Sequence, residues 1–157
     1  MSFEYEGKLY DEVSVARTSE VVDSKFSTRT IKPGVCFSNA YEVTKRLADL
    51  DVLCVEGFVY FEGENKSEDV IRYHCWNKRE EVYFDLTRDL IWQNFPPTKV
   101  KAYYYFPVGA FAYSDYQANA KELVGGKGIE MISEAENIAI ALDSELQASK
   151  KLPPKSL

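Results

Sequence analysis

After the Lys32-Pro33-Gly34 turn, Phe37, Ala40, Tyr41, Thr44, Leu47 and Ala48 recur at helical spacing. This pattern predicts an amphipathic helix that starts near Cys36 and runs through about Leu50. From Asp51 to Phe61 the chain is rich in β-branched and aromatic residues and reads as strand. The polar stretch 62–69 reads as a loop, with Gly63 and Asn65 at permissive turn positions. Two more strand-like runs follow, Val70 to Trp76 and Glu81 to Thr87. Beyond Pro96-Pro97, Lys101 to Phe106 and Val108 to Ser114 predict a further pair, interrupted at Pro107. Ser114-Asp115 suits the cap of a helix through Leu123, stopped by Gly125-Gly126. Ile132 to about Ser149 predicts a second long helix with Ile132, Ala135, Ile138, Ala139 and Leu142 on one side. Residues 9 to 31 have no clean period and are compatible with helix or irregular chain. The order of helix, antiparallel strands and helices is that of an α+β fold. It is read as one domain over 1–149, followed by a frayed polar tail over 150–157.

Three reactive residues fall at informative places in this pattern. Cys36 stands at the predicted helix start, where unpaired N–H groups and the helix dipole lower a thiol pKa and can stabilise an oxyanion. His74, the single histidine of the chain, lies in one strand-like run and Asp85 in the next. A hairpin symmetric about Arg79-Glu80 would set His74 directly across from Asp85, with Cβ atoms roughly 4.5–5.5 Å apart. A carboxylate so placed fixes the imidazole tautomer and aims the other ring nitrogen outward. A slip of one residue would turn Asp85 to the opposite face. Helix end, thiol and His–Asp hairpin together form the minimal machinery for acyl transfer through a thioester. The bland alternative for each residue alone is a buried thiol, a core histidine and a turn-bonding aspartate.

Composition narrows the field. The chain has 157 residues, 45% hydrophobic and 14% aromatic, which supports a packed core without disulfide or metal staples. Its net charge of −6 and lack of a long basic run argue against wrapping nucleic acid. No stretch of about 18 apolar residues predicts a membrane span. The first residues have neither the basic start nor the apolar stretch of a signal peptide. Three cysteines without paired spacings fit free thiols in a reducing cytoplasm better than zinc or disulfides. No cofactor is implied, and a metal held by Cys36, His74 and Asp85 has no support in their spacing.

At Gly34-Val35-Cys36, His74-Cys75-Trp76 and Asp85-Leu86-Thr87 the chain resembles the transglutaminase-like branch of the papain-like cysteine enzyme superfamily. The likeness covers about residues 33 to 88. Cys36-Phe37-Ser38-Asn39-Ala40 and Val55-Glu56-Gly57-Phe58 also resemble segments of small bacterial and phage proteins of this type. The resemblance implies a papain-like core, with Cys36 as nucleophile, His74 as general base and acid, and Asp85 as orienter. Two departures stand out. Cys75 replaces a small or aliphatic residue, and no glutamine precedes Cys36, so a second oxyanion donor is unassigned.

Asn39 would share the helix face of Cys36 and could donate its amide to substrate, or else bond nearby backbone. Trp76 shares the His74 face and could line the site or serve as core. The expected activity is cysteine-dependent amide hydrolysis or acyl transfer on a protein, peptide or small amide. The competing expectation is a non-catalytic binding or inhibitory module of the same fold, such as a phage accessory protein acting on a host component.

Overall fold

The computed structural model describes residues 1–23, 26, 29–92, 100–119 and 133–151. Its chain order is β1 (Ser2–Tyr5), β2 (Lys8–Asp11), β3 (Val15–Ala16), a short helical turn α1 (Thr18–Val21) and α2 (Cys36–Arg46). Then come β4 (Leu53–Glu62), β5 (Val70–Arg79), β6 (Val82–Phe84), β7 (Ala102–Phe111), α3 (Tyr113–Asn119) and α4 (Ser133–Lys150). The architecture is mixed α+β. Among the described residues no helix is long and apolar enough to cross a membrane.

A five-stranded sheet in the order β3-β6-β5-β4-β7 organises the molecule, antiparallel except for the β3–β6 pair. Strand alternation sorts its side chains onto two faces. One face carries Val55, Val59, Phe61, Trp76, Phe84 and Tyr105, and packs with Val43 of α2 and Leu47 just past its end. The other carries Phe58, Ile71 and Phe106 under Ile138, Ala139 and Leu142 of α4. The β1–β2 ribbon lies on this second face through Phe3 and Tyr10 against Phe58. Its turn places Glu6 and Gly7 at φ 50° and 79°, the pair of positive values that a tight hairpin demands.

Several elements differ from the expected pattern. The first helix ends at Arg46, and Ala48–Leu50 forms only one tight turn before Asp51 takes φ 55°. The runs about Pro107 are a single strand rather than two. Pro107 pairs with Gly57 where the β4–β7 register shifts, on a strand at the sheet edge. An edge strand with a bulge tolerates the missing N–H. Asp85 lies just past the end of β6 instead of within a strand. The expected end of α3 at Gly125-Gly126, Ile132 and the tail beyond Lys151 lie outside the described residues.

The β5–β6 hairpin has a different register from a turn centred on Arg79-Glu80. Arg79 pairs with Val82 and Asn77 with Phe84, so the two loop residues are Glu80 and Glu81. Glu80 takes φ 53°, a left-handed conformation unusual for a glutamate. The register moves by two positions, not one, so Asp85 stays on the His74 face. Because β6 is only three residues long, β5 has a free edge from Val70 to Trp76. Two elements use that edge: the Ile71 N–H donates to Asp143 of α4, and the start of α2 docks beside His74 and Cys75.

Candidate active site

Cys36 opens α2. Gly34 reaches φ 76° just before it, and a Cβ there would meet nothing within 4 Å. Glycine at this point therefore serves the turn of the backbone into the helix, not a close approach. The first intrahelical bond runs from the Asn39 N–H to the Val35 carbonyl, and no side chain caps the helix. The N–H groups of Cys36, Phe37 and Ser38 therefore have no acceptor within the helix.

Asn77 fixes this helix to the sheet. Its amide nitrogen lies 3.0 Å from both the Ala40 carbonyl and the Thr44 hydroxyl of α2, and 3.2 Å from the Leu53 carbonyl of β4. Asn39 fixes the segment before the helix. Its oxygen accepts from the Lys32 N–H, while its amide N–H groups donate to the Lys32 carbonyl and the Thr87 hydroxyl. Both N–H bonds of this 2% exposed side chain are thus spent within the protein. Asn39 is a brace for the loop that carries the cysteine, and no donor remains on it for a substrate.

The structure brings Cys36, His74 and Asp85 together. His74 Nε2 lies 2.7 Å from Asp85 Oδ2, with both side chains almost wholly buried. Cys36 lies beside the same imidazole on the wall of one groove, and the ring nitrogen that Asp85 leaves is Nδ1. Asp85 is held at each oxygen. Oδ2 also accepts from the Tyr105 hydroxyl at 2.8 Å, and Oδ1 accepts from the Arg88 N–H, capping the helical turn Arg88–Trp92. That turn is in turn tied to the N-terminal segment. Arg88 donates to the Val15 and Ala16 carbonyls, and Asp89 accepts from Thr18.

The electrostatics follow from these contacts. Burial alone would drive the His74 pKa down, but the charge and hydrogen bond of Asp85, with those of Cys36, raise it to about 10. Burial likewise opposes ionisation of Asp85, yet His74, Tyr105 and the Arg88 N–H hold its pKa below the ordinary value. A hydrogen bond from the Cys75 thiol lowers the Cys36 pKa against the opposing effect of burial; His74 and the Cys75 N–H lower it further, leaving it well below the usual thiol range. All three shifts run in the direction that favours a thiolate, an imidazolium and a carboxylate side by side.

Cys36 and His74 open onto a groove of about 330 Å³, walled by Phe61, Ile91 and Trp92, with Thr87 and Arg72 also lining it. Trp76 does not line this groove. It is fully buried behind His74, nearly parallel to it at 6.0 Å between ring centroids, and edge-on to Tyr105. Gly57 makes room for it, since a Cβ there would stand 2.7 Å from the Trp76 ring and 2.3 Å from the Phe106 carbonyl. Trp92, with its centroid 4.8 Å from that of His74, covers the imidazole from the groove side. Tyr105 and Trp92, which touch Asp85 and the His74 ring, are among the members of the site that the sequence does not assign. Tyr105 lies 20 residues from Asp85 and meets it only because β4 sets β7 next but one to β5. Trp92 had no signal beyond its size and apolarity. Among the described residues no group of three or more His, Cys, Asp or Glu side chains is arranged to hold a metal.

Compared with protein-family models, curated proteins and solved structures, the chain has no match.

Proposed function

We propose that the chain is a cysteine-dependent amide hydrolase or acyl transferase that works through a thioester, built on a transglutaminase-like variant of the papain-like core. One observation carries this reading: the imidazole that bonds Asp85 at 2.7 Å stands beside the helix-start thiol on the wall of a groove open to a substrate.

The Cys36 thiolate would attack the substrate carbonyl carbon, forming the C–S bond and pushing the carbonyl electrons onto oxygen. The unpaired N–H groups of the first turn of α2 are suited to that oxyanion, because they are aimed before charge develops there. This supplies donors without the glutamine that the family pattern would place ahead of the cysteine. His74 would give its Nδ1 proton to the departing amine as the tetrahedral species collapses to the thioester. The neutral imidazole then takes a proton from the incoming water or amine, and the second collapse frees Cys36. Asp85 stays ionised throughout and steadies the imidazolium, with Tyr105 sharing its charge.

An acyl donor that needs no specific recognition tests the reading. Incubation with p-nitrophenyl acetate is expected to give a burst of p-nitrophenol and an acetyl thioester on Cys36, both absent from His74→Ala. Release of p-nitrophenol without acetylation of Cys36 would contradict the proposal.

A further inference from the structure

The mechanism leaves two thiols unused, and one of them touches the nucleophile. Cys75 follows His74 directly in β5, so the two side chains point to opposite faces of the sheet. The start of α2 rests on the free edge of that strand. From there Cys36 reaches the His74 ring on one side and the Cys75 thiol on the other. Ala40, one helical turn after Cys36, packs in the same small cluster as Cys75 and Cys54. The Cys75 sulfur also lies 3.0 Å from the Tyr73 hydroxyl.

We propose that Cys36 and Cys75 form a reversible oxidation site, in which a peroxide converts Cys36 to a sulfenic acid and Cys75 resolves it to a Cys36–Cys75 disulfide. The inference rests on the thiolate character of Cys36 argued above. Access separates the roles, because Cys36 lines the groove while Cys54 and Cys75 are fully buried. Ionisation separates them too. The Cys36 pKa is lowered, whereas burial, with hydrogen bonding to Cys36 and Cys54, pushes that of the Cys75 thiol up. Peroxides react with thiolates, so Cys36 is the first target and Cys75 the resolving partner.

The chemistry balances. The Cys36 thiolate attacks one peroxide oxygen and breaks the O–O bond, giving Cys36–SOH and hydroxide. The Cys75 sulfur then attacks the sulfenyl sulfur, breaking the S–O bond as the S–S bond forms. The departing hydroxide takes the Cys75 proton and leaves as water. Two thiols are oxidised and one peroxide is reduced, and an external dithiol reverses the change. The nucleophile would thereby be spared irreversible oxidation to sulfinic acid.

Trypsin cleavage after lysine and arginine leaves the three cysteines on separate peptides, so the linkage can be read directly. Reduced protein would be treated with several equivalents of hydrogen peroxide, since the disulfide consumes one and a sulfinic acid two, then digested without reduction and analysed by mass spectrometry. The expected product joins the Cys36 and Cys75 peptides, with iodoacetamide labelling of Cys36 lost and then restored by dithiothreitol. In Cys75→Ala, with its circular dichroism unchanged, Cys36 is expected to reach sulfinic acid, and dithiothreitol would not restore labelling. Wild-type Cys36 carried to sulfinic acid while Cys75 stays a free thiol, or a Cys54–Cys75 bond as the main product, would overturn the inference. Iodoacetamide selectivity in the untreated protein separates this outcome from failure of the enzymatic reading. Selective Cys36 labelling with no disulfide removes the oxidation site alone.

Discussion

His74 Nε2 and Asp85 Oδ2 are 2.7 Å apart, although the β5–β6 ladder, carried one step beyond Phe84, would set Asp85 opposite Trp76. The pair is diagonal across the strands, not directly facing. Asp85 has already left the ladder to cap the turn that follows, and that departure swings its second oxygen toward the imidazole. Replacing it should therefore disturb both charge and position. Asp85→Asn keeps the shape but removes the charge that sustains the imidazolium. Cys36 alkylation at neutral pH is expected to slow by roughly ten- to a hundredfold, the effect of one to two units in a coupled pKa. Denaturant unfolding should show a loss of roughly 3 kcal/mol for breaking a buried pair.

Tyr105→Phe removes one of the hydrogen bonds that Asp85 Oδ2 accepts. The loss in stability should be about 1 kcal/mol. Alkylation of Cys36 should fall by less than in Asp85→Asn, because the carboxylate and its bond to His74 remain. Equal effects from the two substitutions would mean that Tyr105, and not the charge of Asp85, governs the site.

Asn39→Ala tests the brace. It leaves the Lys32 N–H and carbonyl and the Thr87 hydroxyl without their partner. A loss of about 3 kcal/mol is expected for stranding these groups in a buried setting, measured by urea unfolding. If Asn39 instead bound substrate, the variant would unfold like wild type.

The pH dependence follows from the direction of each shift. His74 is raised from 6.5 to about 10, so its contribution to stability is complete below 6.5 and is lost as pH climbs through 10. Cys36 and Asp85 are lowered, so theirs are complete above the ordinary thiol and carboxyl values and are lost as pH falls through the depressed ones. The rate of Cys36 alkylation should accordingly reach its plateau well below about pH 8.5, the midpoint of an unperturbed thiol. A rate that keeps rising with a midpoint near that of a free thiol would show that no ion pair forms.

Gly57→Ala probes the packing behind the imidazole. The added methyl would meet the Phe106 carbonyl and the Trp76 ring, and the carbonyl belongs to a paired strand that cannot easily yield. Overpacking of this kind costs roughly 1–3 kcal/mol. Displacement of Trp76 should also change the His74 ring resonances in an NMR spectrum.

The parts of this arrangement that were legible in the sequence are those set by local pattern. Cys36 was placed at a helix start by a glycine turn followed by apolar residues at helical spacing. His74 and Asp85 were placed on one face by strand alternation, which survives a register shift of two. The shift itself was not legible, because the turn uses Glu80 at positive φ where Asn or Gly would have signalled it. Tyr105 and Trp92 were missed because their places depend on sheet order and on a helical turn, neither of which leaves a periodic trace. The β1–β2 ribbon was missed despite its Glu6-Gly7 turn, since four-residue strands are too short to show alternation clearly. The papain-like resemblance pointed to the three residues that meet, but not to the tyrosine that shares the Asp85 charge.

The most direct measurement is the rate at which each cysteine of the folded protein reacts with iodoacetamide at neutral pH, in wild type and in His74→Ala. A thiolate held by an imidazolium predicts that Cys36 reacts far faster than Cys54 and Cys75, and that loss of His74 removes most of this advantage. Three cysteines of similar reactivity, or a Cys36 rate indifferent to His74, would contradict the account.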